Sequence, residues 1–362
     1  MKVFYAKIIL AILVLIGFCW LIRVLLRESS NESRIVLNPD HIPTQEFIIS
    51  ADADTILKGE KGTILKIDRE TFRDCLGKPV SGQIKIMLKE IVSKADIILS
   101  GLSTTTNGKP LESGGILYLN AKQKNRGLCI CDTAKIGVIV PAKKILKDMK
   151  LYKGRFFDRT ITINWTDPED LLNDPGTSSD MSLRKANNTD ELTEVEAYRI
   201  GSKTSDTLLN VVNQFWYDYN HSSFDDFTLG NRLNYVFETN NLGWLNIDRL
   251  PDYDKNKETK LTVSIQHRND FRYPVVKLIF KHLDIYVDGF EAGSNHFVFG
   301  KNYEEGIFLP AGEPVVVLAV AQCKGKPYIA MQEFILGDNH FSVLNLKATT
   351  MHEIESMIKE KF

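Results

Sequence analysis

Residues 81–91 read SGQIKIMLKEI. Ile84, Ile86 and Leu88 fall on every second position, the period of a strand with one apolar face. The turn GKPV at 77–80 leads into it. Similar patterns lie on both sides. TILKID at 63–68 is a short strand, and TTTNGKPLESGG at 104–115 carries an Asn-Gly turn and a glycine pair. ILYLNAK follows at 116–122, with Ile116, Tyr118 and Asn120 opposite Leu117, Leu119 and Ala121. KIGVIVPAK at 135–143 ends the set, with Pro141 closing the strand. DIILSGL at 96–102 reads as strand or loop. Short strands at this spacing predict an antiparallel sandwich over residues 47–165, ending in the strand-like LYKGRFFDRTITINW.

A second β-rich domain is expected over 257–362. LTVSIQH alternates from Leu261, and PVVKLIF, KPYIAMQEFIL and FSVLNL supply further strands. VVVLAVA at 315–321 is apolar throughout and should be a central strand covered on both faces. CKGKP at 323–327 reads as the hairpin after it. Thr350 and Glu353 form a capping box for a C-terminal helix with Met351, Ile354 and Ile358 on one side. Between the two domains, residues 166–195 are rich in Asp, Asn, Ser and Thr and predict a flexible linker. Residues 196–256 hold one amphipathic helix, SDTLLNVVNQFWYDY at 205–219, and a connecting hairpin with an Asn-Asn-Leu-Gly turn. The fold class is thus mainly β, with two sandwich-like domains behind an N-terminal span.

That span is the apolar run from Ile8 to Leu26, interrupted only by Arg23. As a helix it reaches about 28 Å, close to the hydrocarbon thickness of a bilayer. Phe18 stands before Cys19, where a lipoprotein signal needs a small residue, and no small-x-small cleavage site follows until Ser29 and Ser30. A retained signal anchor over 1–26 is expected, with a polar tether over 27–46. Lys2 and Lys7 before the span nearly balance Arg23, Arg27 and Arg34 at or after its end. The long body after a short leading tail favours a single-pass protein of the cytoplasmic membrane with its body outside the cytoplasm.

The run DTILKGEKGTILKIDRETFRDCLGKPVSGQIKIMLKEI, continued through LESGGILYLNAK, resembles β-sandwich modules of uncharacterised cell-envelope proteins of the Bacteroidota, and distantly carboxypeptidase-regulatory-like modules. The likeness covers about a hundred residues and rests on turn glycines and strand alternation. It implies an extracytoplasmic sandwich without catalysis in this module, and transfers no site residues.

Chemistry is sparse in the sequence. The formal net charge is −1 over 362 residues, with no basic block, so nucleic acid is not an expected partner. Four of the five cysteines follow the span: Cys75, Cys129, Cys131 and Cys323. They are too few for a disulfide scaffold and read as small buried hydrophobes, and Cys129 and Cys131 would point to one face of a strand and not pair easily with each other. DYDKNKE at 252–258 begins like a calcium loop, but Lys257 and Val263 occupy the glycine and bidentate-acid positions, so no metal is expected. His282, Asp284 and Tyr286 would share a strand face; without a nucleophile motif beside them they read as a hydrogen-bonded structural set, with an acid–base pair as the alternative. No cofactor is called for. The expected function is a membrane-anchored scaffold that binds another envelope protein, with Trp165, Trp216 and Trp244 as candidate partner-surface residues. The alternatives are a membrane-tethered hydrolase around His282 and a cell-wall or carbohydrate-binding module.

Overall fold

A computed structural model of the protein describes residues 36–142, 144–156, 162–171, 228–229, 232–251, 258–293, 296–300, 309–338 and 340–362. The strands among them are numbered β1 to β26 in chain order. The chain is mainly β, built chiefly of antiparallel sheets. The largest sheet runs β1 (Gln45–Ser50), β5 (Gln83–Ile91), β8 (Glu112–Gln123), β15 (Gly243–Arg249), β11 (Lys150–Phe156) and β12 (Ile163–Asp170), with β9 (Arg126–Ile130) pairing β8 and β4 (Phe72–Asp74). A second sheet orders β13 (Thr228–Leu229), β14 (Arg232–Thr239), β10 (Ile136–Ala142), β3 (Ile64–Ile67) and β2 (Thr55–Lys58). The third orders β19 (Tyr286–Asp288), β18 (Arg272–Phe280), β23 (Pro314–Cys323), β24 (Lys326–Ile335) and β26 (Lys347–Ala348). The fourth orders β20 (Phe290–Glu291), β21 (His296–Phe299), β17 (Leu261–Ile265) and β25 (His340–Leu344). Two-residue ladders join β6 (Thr105–Thr106) to β7 (Lys109–Pro110) and β16 (Glu258–Thr259) to β22 (Leu309–Pro310).

Three hydrophobic cores hold these sheets together. The first lies between the two N-terminal sheets. It takes Ile84, Ile86 and Leu88 from β5 and Leu117, Leu119 and Ala121 from β8, the faces that alternation assigns to the interior. The third lies between the two C-terminal sheets. The middle core joins the halves. Ile91, Ile116, Tyr152 and Trp165 of the largest sheet meet Val316, Leu318 and Val320 of β23 there. The all-apolar stretch 315–321 is now accounted for. Val315, Val317, Ala319 and Ala321 face the third core and Val316, Leu318 and Val320 the middle one, every one of them fully buried. At about 1.5–3 kcal/mol for each large side chain removed from water, this strand binds both layers. The hairpin after it places Lys324 (φ 51°) and Gly325 (φ 74°) at the two left-handed positions of a two-residue turn.

Two helices frame the middle core. α1 (Lys94–Leu99) is the stretch that read as strand or loop. Ser93 and Asp96 close a capping box, and Ala95, Ile97, Ile98 and Leu99 are buried. A short helix with so wide a buried surface has no amphipathic period for a pattern to reveal. α2 (Met351–Lys361) is capped by Thr350 and Glu353 as expected, and seats Ile354 and Ile358 in the middle core.

Several expectations are corrected. β17 and β25 are parallel, an exception to the antiparallel pattern. The tether called over 27–46 is docked at its end: Val36, Leu37 and Ile42 are buried, and buried Lys89 Nζ donates to the carbonyls of Pro39 and Ile42 at 2.9 and 2.7 Å. Gly101 permits this, because a Cβ there would lie 2.5 Å from the Leu37 carbonyl oxygen. Residues 166–170, assigned to the linker, complete β12. This edge strand accepts Pro168 in the bulge between Thr166 and Glu169, where the register with β11 shifts. The expected connecting hairpin divides. β14 pairs with β10 in one sheet, whereas β15 inserts between β8 and β11 in the other. Residues 232–249 therefore close the N-terminal sandwich. The cysteines are not buried hydrophobes. Cys75 and Cys129 are exposed and joined by a disulfide with Cα atoms 5.3 Å apart, and Cys131 and Cys323 are half-buried free thiols. Among the described residues no helix is long and apolar enough to cross a membrane; the run at 8–26, the helix at 205–219 and residues 172–195 of the linker lie outside them.

Candidate functional site

The middle core covers only part of the outer face of the largest sheet. The rest is open. Trp244 of β15 stands directly opposite Tyr118 of β8, with ring centroids 4.9 Å apart and planes tilted by 46°. Phe156, 45% exposed at the end of β11, meets Trp244 edge-on at 6.2 Å. Met87 and Asn120 form the adjoining cross-strand pair. The Asn120 amide donates to the Tyr118 hydroxyl at 2.8 Å. Lys85 and Glu46 pair at 2.6 Å beyond it. Gly154 leaves room for the Trp244 ring, since a Cβ there would fall 2.7 Å from the Trp244 Cβ and 2.5 Å from Ile163 Cδ1.

A second surface lies on the outer face of the fourth sheet. Register places Phe290, Val298, Thr262 and Phe341 in one row across four strands, and His296, Ser264 and Val343 in the next. Phe290 is 62% exposed, Phe341 56% and Val343 47%. His296 bonds Ser264 through Nδ1 at 2.6 Å and approaches the Phe341 ring edge-on.

No family model, curated protein or solved structure matches this chain. The site must therefore be read from its own geometry.

The three tryptophans proposed as a partner surface fare differently. Trp165 is fully buried in the middle core, and its indole N–H donates to the Ser103 carbonyl at 2.7 Å. That ring cannot meet a partner while the two halves are packed. It lies on β12, whose alternation distinguishes two faces but does not say that a distant sheet covers one of them. Trp244 is half-buried on the open face, and Trp216 lies outside the described residues. Tyr118 and Phe156 escaped the sequence reading, because only strand pairing brings them beside Trp244.

The acid–base set around His282 is not assembled. Residues 281–285 form a turn and not a strand. His282 is exposed near Glu313, at 4.0 Å, whereas Asp284 pairs with Lys94 at 3.3 Å in the seam between the halves. Tyr286 is buried, and burial first and Asp284 second push its phenol far above the usual range. Among the described residues no group of His, Cys, Asp and Glu is arranged to hold a metal.

A polar network lies in the same seam. Ser113 donates to Asn246 Oδ1 at 3.0 Å, and the Asn246 amide donates to Asp248. Asp248 is wholly buried, and desolvation raises its carboxyl well above the ordinary range, against the lowering effect of the hydrogen bond from Asn246. Desolvation likewise moves the neighbouring Tyr152 phenol up to about 12. A carboxyl whose folded value exceeds its unfolded value near 3.8 holds its proton in the fold while the unfolded chain releases it. Its stabilising share is complete below that unfolded value and shrinks as pH rises toward the folded one. Asp248→Asn is therefore expected to flatten the fall in melting temperature between pH 5 and 8 relative to the wild type. Parallel melting curves across that range would remove Asp248 as the cause.

Proposed function

We propose that this protein is a membrane-anchored, extracytoplasmic scaffold that acts by binding another envelope protein. The observation that carries this reading is the outward face of the fourth sheet. Phe341 and Val343 stand in adjoining cross-strand rows on the edge strand β25 and are half exposed or nearly so, with Val298 in the same row as Phe341 across Thr262. Contiguous apolar groups on a sheet face, rather than single scattered ones, mark interaction surfaces. The exposed Cys75–Cys129 disulfide supports a body in an oxidising compartment, since such bonds seldom persist in a reducing cytosol. The apolar run at 8–26 supplies the anchor, and the likeness of the N-terminal sandwich to cell-envelope modules agrees with that placement. A hydrolase centred on His282 has less support, because its acid and base sit on different partners.

The test is crosslinking in intact membranes. Phe341→Glu with Val343→Glu should leave the fold intact, because both side chains point into solvent. It should cost the partner complex about 2 kcal/mol or more, roughly thirtyfold in affinity. A folded double variant that still yields the wild-type adduct would overturn the assignment of this face.

A further inference from the structure

We infer that the Cys75–Cys129 pair is a thiol–disulfide exchange site for an external dithiol, with Cys75 as the sulfur attacked and Cys129 as the sulfur released. The inference goes beyond the binding reading and is independent of the fourth sheet. Exchange requires a thiolate to reach a disulfide sulfur, so exposed bonds are the labile ones. Both cysteines here are exposed. Cys75 is the second residue of a surface turn, closed by the Gly77 N–H on the Asp74 carbonyl at 2.8 Å, and Leu76 beside it is 85% exposed. Gly127, two residues before Cys129, has open space where a side chain would stand.

The fold does not rely on the bond. Phe72, Arg73 and Asp74 pair with Ile130, Cys129 and Leu128, and buried Phe72 and Leu128 fix this ladder in the first core. The two sulfurs therefore stay in reach of each other when the bond opens. The surroundings favour sulfur anions. Arg73 stands opposite Cys129 in the ladder, and Lys78, Lys124 and Arg126 are exposed within a few residues of the pair. The Asp74 carboxylate is engaged by the N–H groups of Leu76 and Lys78 at 3.0 and 2.8 Å. Cys131, whose N–H extends the ladder to the Thr71 carbonyl, lies in the same field. Hydrogen bonding to Thr133 first, and Arg73 after it, hold its thiol below the ordinary value and outweigh Asp132.

In the first step a thiolate of the dithiol bonds to Cys75 Sγ. The Cys75–Cys129 bond breaks, and its electron pair leaves on Cys129 Sγ beside Arg73. The second thiolate of the dithiol then attacks its own sulfur in the mixed disulfide, and Cys75 leaves as thiolate. The dithiol loses two electrons and becomes a disulfide. The cysteine pair gains them, and the two protons of the dithiol end on Cys75 and Cys129.

The experiment uses the full chain in mild detergent, with acid quenching, alkylation and peptide mass spectrometry. Dithiothreitol should open the pair within minutes without denaturant, with the circular dichroism spectrum unchanged. Reduced thioredoxin at equal concentration distinguishes a dithiol on a protein from a free one. Glutathione, a monothiol, stalls at the first step and should be found on Cys75, with Cys129 as a free thiol. Arg73→Gln should slow the opening about threefold or more, because the leaving sulfur loses its cation. The Phe341→Glu, Val343→Glu variant should exchange like the wild type, which separates failure of this site from failure of the protein-partner face. The inference is overturned if the bond opens only in urea, or if glutathione is found on Cys129. A folded Arg73→Gln variant that opens at the wild-type rate would overturn it as well.

Discussion

Trp165→Ala is expected to lower the stability of the fold by about 3–5 kcal/mol. The indole is fully buried in the middle core with Tyr152, Ile163 and α1. Its removal opens a cavity that β12, Gly154 and β23 are too constrained to collapse, and it leaves the Ser103 carbonyl without its 2.7 Å donor. Because this core joins the sandwiches, the loss should appear in the unfolding of both halves together. Urea denaturation followed by far-UV circular dichroism measures it. An unchanged midpoint, with loss of a crosslinked partner, would return Trp165 to the role of a surface residue.

Arg249→Met should be of comparable size, for an electrostatic reason. Arg249 donates through Nε and Nη2 to one oxygen of Glu112, at 2.8 and 2.7 Å. Only 2% of the Glu112 side chain is exposed, and Lys144 stands 3.6 Å from its other oxygen. Removing the arginine leaves a buried carboxylate with one partly solvated cation, a loss on the order of 3–5 kcal/mol. Lys144→Ala should cost less than about 1 kcal/mol, since that ammonium is half in water. Pairing Arg249→Met with Glu112→Gln should recover a large part of the stability. If the double variant is no more stable than Arg249→Met alone, the pair is not the origin of the effect.

The strand alternation at 81–91 and 116–122 was enough to identify a half-buried sheet and the residues lining its first core. A side chain that must leave water on one face imposes a period of two on the chain itself. The apolar 315–321 stretch likewise announced a strand covered on both sides, and Thr350 with Glu353 marked the start of the last helix, since caps are set within four residues. The sequence also held a signal for α1, the Ser93–Asp96 capping spacing, but its buried surface has no helical stripe to accompany it.

The remainder depended on contacts between residues far apart in the chain. Nothing local to Trp165 distinguishes it from Trp244. One is covered by a sheet more than a hundred residues away in sequence, and the other lies just beyond that cover. The Cys75–Cys129 bond spans 54 residues and follows from the pairing of β4 with β9. β15 reaches its place between β8 and β11 only after β14 has crossed to the opposite sheet. Tyr118, Phe156 and Trp244 become one surface by that insertion. Local periodicity determined which residues form strands and which face is apolar. Only strand order and the packing of the two halves decided which apolar faces are buried and which remain available to a ligand.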